Sequence, residues 1–448
     1  MTRNPGRVSI DRVELLEPLP EAIRELSLDR PVAGSEWRGS SLEVSGWVVG
    51  KWSAPLRVAV LRQGRPLRRI PVRMPRFDIT RRFPDVPGAE TPGFTAMVST
   101  LGLPEDFRLE IAMAFQDGSR ATVARLEGRR TLLRPDFQPA LQPIMVTSLG
   151  RMASTWVMSL LAAHPQIVAL RKYPYECKTA KYWLQVLATL MEPAMQPRDV
   201  AKVHGDRWWL GANPFFEPDM TREPKPGVGL FADRMAEVCL RNIDSWYSEL
   251  AFHQVKDNVR CFAEKMTPNQ LQPLMRELYP RAKEIVLVRD FRDWICSILA
   301  FDDKRGFHGF GRREGEPAVD YVRRHARFAF ELRDYWKTHR AAVHLVRYED
   351  LVREPAPALR ALFEHLELDA GDSCVEAALR EAQTESASFQ HHRTSSSISS
   401  SIGRWRHELT PEVCDVAQEL FADALRSFGY DDESDGLPAS RVEEGGSG

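Results

Sequence analysis

The hydrophobic period of this chain changes part-way along, and that change limits the folds open to it. Between about residues 40 and 128 large apolar side chains recur at every second position, as in Phe107, Leu109, Ile111, Met113 and Phe115. That spacing is the mark of a half-buried strand. Asp117-Gly118 follows as a turn, and the next run, ATVARLE, completes a hairpin. Leu56, Val58 and Val60 alternate in the same way before a turn at Gln63-Gly64, and Ser41–Gly50 reads as another strand. With no helical period in it, this block is expected to be a small all-β, sandwich-like domain. Past Pro135, Pro139 and Pro143 the pattern switches to short continuous apolar runs, each followed by a helical pattern. Glu284–Val288 precedes a helix starting near Arg292, and Ala342–Leu351 is a strand running into a turn. The stretch from Pro355 is apolar at i, i+3 and i+4. An amphipathic helix near the end has Thr410 as its N-cap and Gly429 as its stop. Strands alternating with helices imply a parallel sheet covered by helices, an α/β fold.

The expected organisation is a polar lead-in over 1–35 with a short helix at Glu21–Leu26, then an all-β accessory domain over 36–130. An extended Pro-rich linker or strap over 131–143, an α/β domain over 144–432 and a disordered polar tail over 433–448 follow. The run Thr394–Ser401, TSSSISSS, is a low-complexity patch inside the folded region.

A net charge of -1 over 448 residues argues against a protein that binds nucleic acid by neutralising phosphates, though it allows a local basic pocket. The six cysteines are scattered, with no zinc-like spacing, and read as buried free thiols in a reducing compartment. No metal is expected. The N-terminus lacks the apolar core of a signal peptide, and no run of about 18 apolar residues exists, so no membrane span and a cytoplasmic location are expected.

One stretch points to chemistry. Thr147–Leu161, TSLGRMASTWVMSLL, follows a short apolar run and leads into a helical pattern. Strand, small-residue turn and helix is a layout that cradles phosphate, because the helix start offers free N–H groups and a positive dipole end. Ser154 and Thr155 add hydroxyls, and Arg151 adds a forked cation suited to an oxyanion. The P-loop consensus is absent: Gly150 stands alone, Ala153 sits where a second glycine would help, and an arginine replaces the lysine. An ordinary βα turn with a surface arginine is the plain alternative. Two distant segments add weight. Arg289 stands at the expected C-terminal end of a strand, where open α/β sheets bind ligands, with Ser297 eight residues on. SIGRWRHEL lies behind the serine patch.

Together these segments resemble the sulfotransferase family, whose donor is 3'-phosphoadenosine-5'-phosphosulfate (PAPS). The resemblance runs from about 143 to 430 and implies a P-loop-like, three-layer α/β domain. The family's strand–loop–helix grip on the 5'-phosphosulfate matches Arg151, Met152, Ala153, Ser154, Thr155 and Trp156 here. Its Arg and Ser for the 3'-phosphate match Arg289 and Ser297, in RDFRDWICS. Its Tyr-Glu-Asp-Leu strand end matches Tyr348–Leu351, and its late Gly-x-Trp loop matches Gly403, Arg404 and Trp405. Two departures stand out. Met152-Ala153 replaces Ser-Gly, which strains the loop if Ala153 needs a positive φ, and serines with Ile398 replace a basic tripeptide before Gly403. Arg393 or Arg404 is the candidate to supply that missing charge.

Sulfuryl transfer resembles phosphoryl transfer in its loose, in-line transition state, where positioning and charge stabilisation dominate. The sulfuryl group carries less charge, so a few cations suffice. By resemblance Arg151 steadies the bridging oxygen and Lys265 lies beside the donor sulfate; a solvated surface lysine is the alternative for Lys265. Glu176 is the first candidate for the base that activates the acceptor, and His204 the second. His164 is expected to cap or pack a helix end. Tyr173, Tyr175, Tyr182, Trp183, Trp208, Trp209, Phe215 and Phe216 either line an acceptor pocket or fill core. The serine patch is either a closing loop or a solvated linker. The β domain is similar to those attached to bacterial glycosyltransferases and sulfotransferases. The expected partner is a saccharide or small-metabolite acceptor with a hydroxyl or amine; nothing in the sequence sets the oligomeric state. A P-loop small-molecule kinase and a non-catalytic nucleotide- or carbohydrate-binding protein on the same fold are the competing readings.

Overall fold

The computed structural model describes residues 6–191, 230–269, 271–386, 394–395 and 397–430. They fall into two compact units. One draws on residues up to 139, on 179–243 and on 270–280; the other draws on 140–178, on 244–269 and on the chain from 281.

In the first unit the chain forms β1 (Arg7–Leu15), β2 (Ile23–Arg30), β3 (Glu36–Arg38), β4 (Ser41–Gly50), β5 (Pro55–Arg62), β6 (Arg65–Pro71), a short helix α1 (Phe77–Arg82), β7 (Gly93–Ser99), β8 (Asp106–Phe115) and β9 (Arg120–Arg130). A six-stranded antiparallel sheet runs in the order β3-β1-β9-β8-β5-β6, and a three-stranded one in the order β2-β4-β7. Val58, Val60, Leu109, Ile111 and Leu126 from the larger sheet meet Leu42, Val44, Phe94 and Val98 from the smaller in one buried core. This is the expected sandwich. Gln63 and Gly64, at φ 50° and 74°, make the tight β5–β6 turn. Leu56, in the alternating set, is exposed rather than buried.

The polar lead-in over 1–35 is corrected by the structure: β1 and β2 lie there, and the helix expected at Glu21–Leu26 is a turn at Glu21 and Ala22 followed by strand from Ile23. The reason is register. Val8 and Ile10 point into the core, a bulge follows between Ile10 and Arg12, and Val13 returns to the core one position late. A second bulge interrupts β2 between Ile23 and Glu25. Each bulge breaks the period of two that betrays a strand.

Beyond residue 140 the elements are β10 (Gln142–Thr147), α2 (Ser154–Ala163), β11 (Ile167–Val168), α3 (Thr179–Leu190), α4 (Phe231–His253), β12 (Cys261–Met266), α5 (Leu271–Leu278), β13 (Lys283–Val288), α6 (Phe291–Arg305), α7 (Ala318–His339), β14 (His344–Arg347), α8 (Tyr348–Arg353), α9 (Pro355–His365), α10 (Asp372–Ser386), α11 (Trp405–Glu408) and α12 (Pro411–Ser427). The linear expectation of one α/β domain beginning at residue 144 differs from the grouping found, since α3, α5 and the first part of α4 belong with the β-sandwich. The segment after β9 shows why. Arg130 pairs with Glu277, both buried, and the same carboxylate accepts the Leu133 N–H at 2.6 Å. Asp233 accepts the Arg134 N–H at 2.6 Å and Glu237 accepts the Asp136 N–H at 2.7 Å. The proline-rich strap therefore finds its backbone partners on α4 and α5.

In the second unit all strand pairs are parallel, in the order β11-β12-β10-β13-β14. The continuous apolar run of β13 serves both faces. Ile285 and Leu287 join Ile144, Val146 and Val346 against α2, α9 and α10, while Val286 and Val288 meet α6, α7 and α12. The result is a three-layer α/β arrangement. Because β10 and β13 are parallel neighbours, the loops that leave their C-terminal ends open on the same edge of the sheet. The Lys256 ammonium closes the far end of α2, donating to the carbonyls of Ala162, His164 and Ile167 at 2.7, 2.7 and 2.6 Å. Thr410 is the N-cap of α12 by position, though its side chain makes no capping bond. Among the described residues no helix is long and apolar enough to cross a membrane.

Candidate active site

The loop after β10 is shaped by what its neighbours leave room for. A Cβ on Gly150 would lie 2.7 Å from the Phe310 ring, so a side chain there would have to displace that ring, and the Gly150 carbonyl accepts the Trp294 indole N–H at 2.7 Å. Arg151 and Ala153 both adopt positive φ, 70° and 62°, so alanine does occupy a left-handed position that favours glycine. Met152 lies between them and is fully buried among Val286, Val288, Phe291 and Trp294. Its side chain anchors the loop to the core and does not line the cavity, so the donor-binding part expected of Met152 finds no side-chain support. Ser154, Thr155 and Trp156 open α2, whose start faces a cavity of about 340 Å³.

Lys265 and Glu176 meet on one side of that cavity. Lys265, on β12, is 7% exposed, so it is no surface lysine. Its ammonium donates to Thr155 Oγ1 at 2.8 Å, to the Pro174 carbonyl at 2.5 Å and to Glu176 Oε1 at 3.4 Å. Burial lowers its pKa to about 8, against the opposing pull of Glu176. Burial by itself would raise the Glu176 carboxyl, but Lys178 at 2.5 Å and Lys265 outweigh it and hold it below its ordinary value. Glu176 is therefore ionised at neutral pH, half-buried, and beside a cation that orients it.

On another side stand Arg289 and Ser297. Arg289 follows directly on β13, is 5% exposed, and lies over the Tyr348 ring at 5.0 Å. One of its amino groups donates to the Ser401 carbonyl, while its Nε is buried with no hydrogen-bond partner among the described residues. Ser297, buried on α6, accepts from Arg151 Nε at 3.3 Å. The Arg151 guanidinium is stacked on Phe301 at 4.2 Å. Burial first, and then the neighbouring Arg289, bring its pKa down to about 10. A half-buried guanidinium pressed by like charge marks a place where an anion would be stabilised.

The Tyr-Glu-Asp segment is structural support. The Tyr348 hydroxyl bonds Ser401 Oγ at 2.7 Å. Glu349, 1% exposed, accepts the Asp290 N–H at 3.0 Å and the Tyr430 hydroxyl at 2.6 Å. Of the late loop, Arg404 lines the cavity whereas Gly403 and Trp405 stand behind it. Arg404 spends its charge on Glu408 at 2.8 Å and ties down Thr394 at 2.8 and 2.9 Å, so it replaces the missing basic tripeptide only in part.

His164 packs as expected: it is fully buried, its Nδ1 accepts the Gln166 N–H at 3.1 Å, and its Nε2 faces the Asp369 carbonyl at 2.9 Å. Of the aromatic group, Tyr173 lines the cavity, Tyr175 is buried core, and Tyr182 and Trp183 on α3 pack edge to face. His204, Trp208, Trp209, Phe215, Phe216 and Arg393 lie outside the described residues. Sequence reasoning missed Phe301 and Phe310, which flank Arg151 and Gly150; aromatic residues on a helix and the loop after it carry no signal that separates them from core. Among the described residues no three His, Cys, Asp or Glu side chains gather to hold an ion.

No curated protein matches the chain. Among solved structures, similar chains include mouse sulfotransferase SULT7A1 complexed with PAP, 14% identical, over 64% of this chain and 85% of that one with a TM-score of 0.36. Sulfotransferase STF9 from Mycobacterium avium is 13% identical over 66% of this chain and 78% of that one, with a TM-score of 0.33. The sulfotransferase family model matches residues 143–372, which hold the β10–α2 loop, Glu176, Lys265, Arg289 and Ser297, and cover just over half of the sequence; the chain belongs to the sulfotransferase family.

Proposed function

We propose that the protein transfers a sulfuryl group from PAPS to a hydroxyl or amine of a saccharide or small metabolite, releasing PAP, the desulfated donor. The observation that carries this reading is the gathering of cations around one cavity. Lys265 and the start of α2 stand on one side, the buried Arg289, whose Nε has no hydrogen-bond partner among the described residues, stands with Ser297 on another, and Arg151 links the two through its 3.3 Å bond to Ser297. A ligand that carries more than one phosphate or sulfate group suits that donor set, and the orphaned Arg289 Nε suits a further anionic oxygen. Arg289 and Ser297 would hold the 3'-phosphate, while Arg151, Ser154, Thr155 and Lys265 would hold the 5'-phosphosulfate. PAPS supplies the activated sulfuryl group.

The chain's own residues then divide the work. Lys265, with a pKa of about 8, is mostly protonated at pH 7 and stabilises negative charge near Thr155. Arg151 adds a second cation against the leaving side, positioned by Phe301. Glu176, ionised and fixed by Lys178 and Lys265, accepts the proton of the incoming hydroxyl.

The test is PAP release from PAPS with a panel of saccharides, hydroxylated small molecules and amines. The reading expects acceptor-dependent PAP release that is lost in the Lys265→Met variant. Release that ignores the acceptor, or that survives in that variant, would sink it, and Mg²⁺-dependent ATP consumption without PAP formation would favour a kinase.

A further inference from the structure

The turn that carries Arg404 toward the cavity is held by a carboxylate which the chemistry above does not use. Gly403 adopts φ 71°, and Arg404 after it adopts φ -61° and ψ -25°. A left-handed residue followed by a right-handed one aims nearby backbone N–H groups at one point, a concavity that takes an anion. Here the anion belongs to the protein. Asp293 Oδ2 accepts the Gly403 N–H at 2.6 Å, and Oδ1 accepts the Trp405 N–H at 3.0 Å. Asp293 is 1% exposed and sits on the first turn of α6, four residues from Arg289 on one side and from Ser297 on the other. The same turn of helix grips the loop again: Arg292, paired with Asp290 at 2.7 Å, lies over the Trp405 ring at 4.2 Å.

What this loop places at the cavity depends on that grip. The Ser401 carbonyl accepts from Arg289, the Ser401 hydroxyl bonds Tyr348, and Arg404 fastens Thr394. We infer that Asp293 is a positioning residue for the nucleotide site: it fills the Gly403–Trp405 turn, and so sets where Ser401 orients Arg289 and where Arg404 faces the ligand. The inference rests on the nucleotide reading of the cavity. It also gives Gly403 a reason in backbone terms, since a side chain at φ 71° would disfavour the turn Asp293 binds.

The experiment is calorimetric titration of the full chain with PAP, alongside its thermal midpoint and steady-state kinetics in PAPS. Asp293→Asn removes the charge and one of the two acceptor atoms. PAP binding should weaken about tenfold and KM for PAPS should rise to match, with kcat nearly unchanged. Gly403→Ala disturbs the same turn from the loop side and should weaken PAP binding in the same direction. A merely structural role would lower the midpoint and leave PAP affinity of the folded protein unaltered, and that result overturns the inference. If Asp293→Asn fails to fold, Gly403→Ala decides, and unaltered PAP affinity there overturns it equally. Absence of PAP binding by the wild type would remove the nucleotide reading itself, and this inference with it, whereas normal wild-type binding with indifferent variants removes this inference alone.

Discussion

Lys265 offers a prediction that can be worked through before any acceptor is known. Its ammonium is buried, holds Thr155 Oγ1, and has a pKa of about 8 where a free lysine has 10.5. In the unliganded protein it is roughly nine-tenths protonated at pH 7 and one-tenth at pH 9. A charge-assisted bond to a phosphate is worth roughly 1.5–3 kcal/mol, enough to keep the ammonium protonated in the complex past pH 9. Binding at pH 9 must therefore recruit a proton that is already present at pH 7. PAP affinity should fall roughly five- to tenfold over that window. The phosphates do not confuse the result, because their second ionisation lies near pH 6. Arg151, at about 10, stays mostly charged up to pH 9, which sets the upper limit of the titration. Lys256 also titrates at about 8, at the far end of α2, so the control is Lys265→Met, in which Lys256 is untouched. That variant should bind PAP roughly ten- to a hundredfold more weakly at pH 7 and show no slope. Calorimetry at pH 7, 8 and 9 reads all of this. A flat wild-type profile, or a slope that survives in Lys265→Met, would refute the reasoning.

Three further expectations come from the same geometry. Arg289→Lys keeps a charge but loses the planar fork that bonds Ser401 and lies over Tyr348; PAP affinity by calorimetry should drop about thirty- to a hundredfold. Glu176→Gln should lower kcat by about two to four orders of magnitude with any acceptor the wild type accepts, and change PAP affinity less than about twofold; an unchanged kcat would remove Glu176 as the base. Lys256→Met strips the donor from three carbonyls at the end of α2, and should cost about 2–3 kcal/mol, seen as a lower urea midpoint with an unchanged slope.

How much of this was legible depended on whether a residue acts locally or across the fold. The β10–α2 loop was readable because strand, turn and helix are contiguous, and the doubt raised by Ala153 became a definite φ of 62°. Arg289 and Ser297 were readable because one helix carries a fixed spacing and β13 announces its end with a run of apolar residues. β1 and β2 were not, because bulges shift their buried positions by one residue. Nor were the pairings of α4 and α5 with the strap after β9, which join residues roughly a hundred or more positions apart through backbone N–H groups that leave no pattern in sequence. Met152 shows the limit of motif transfer: it stands inside the β10–α2 loop, yet its side chain belongs to the core. Asp293 and Glu349 are the converse case, since their carboxylates serve the backbone of distant segments and only folding reveals whom they hold.

The most direct test of the central claim is titration of the wild-type protein with PAP at pH 7, set against ATP with Mg²⁺. A cavity lined by Lys265, Arg151, Arg289 and Ser297 should bind PAP at micromolar concentration and ATP far more weakly, because ATP lacks the 3'-phosphate that Arg289 would hold. Equal affinity for the two, or no binding of PAP, would contradict the account.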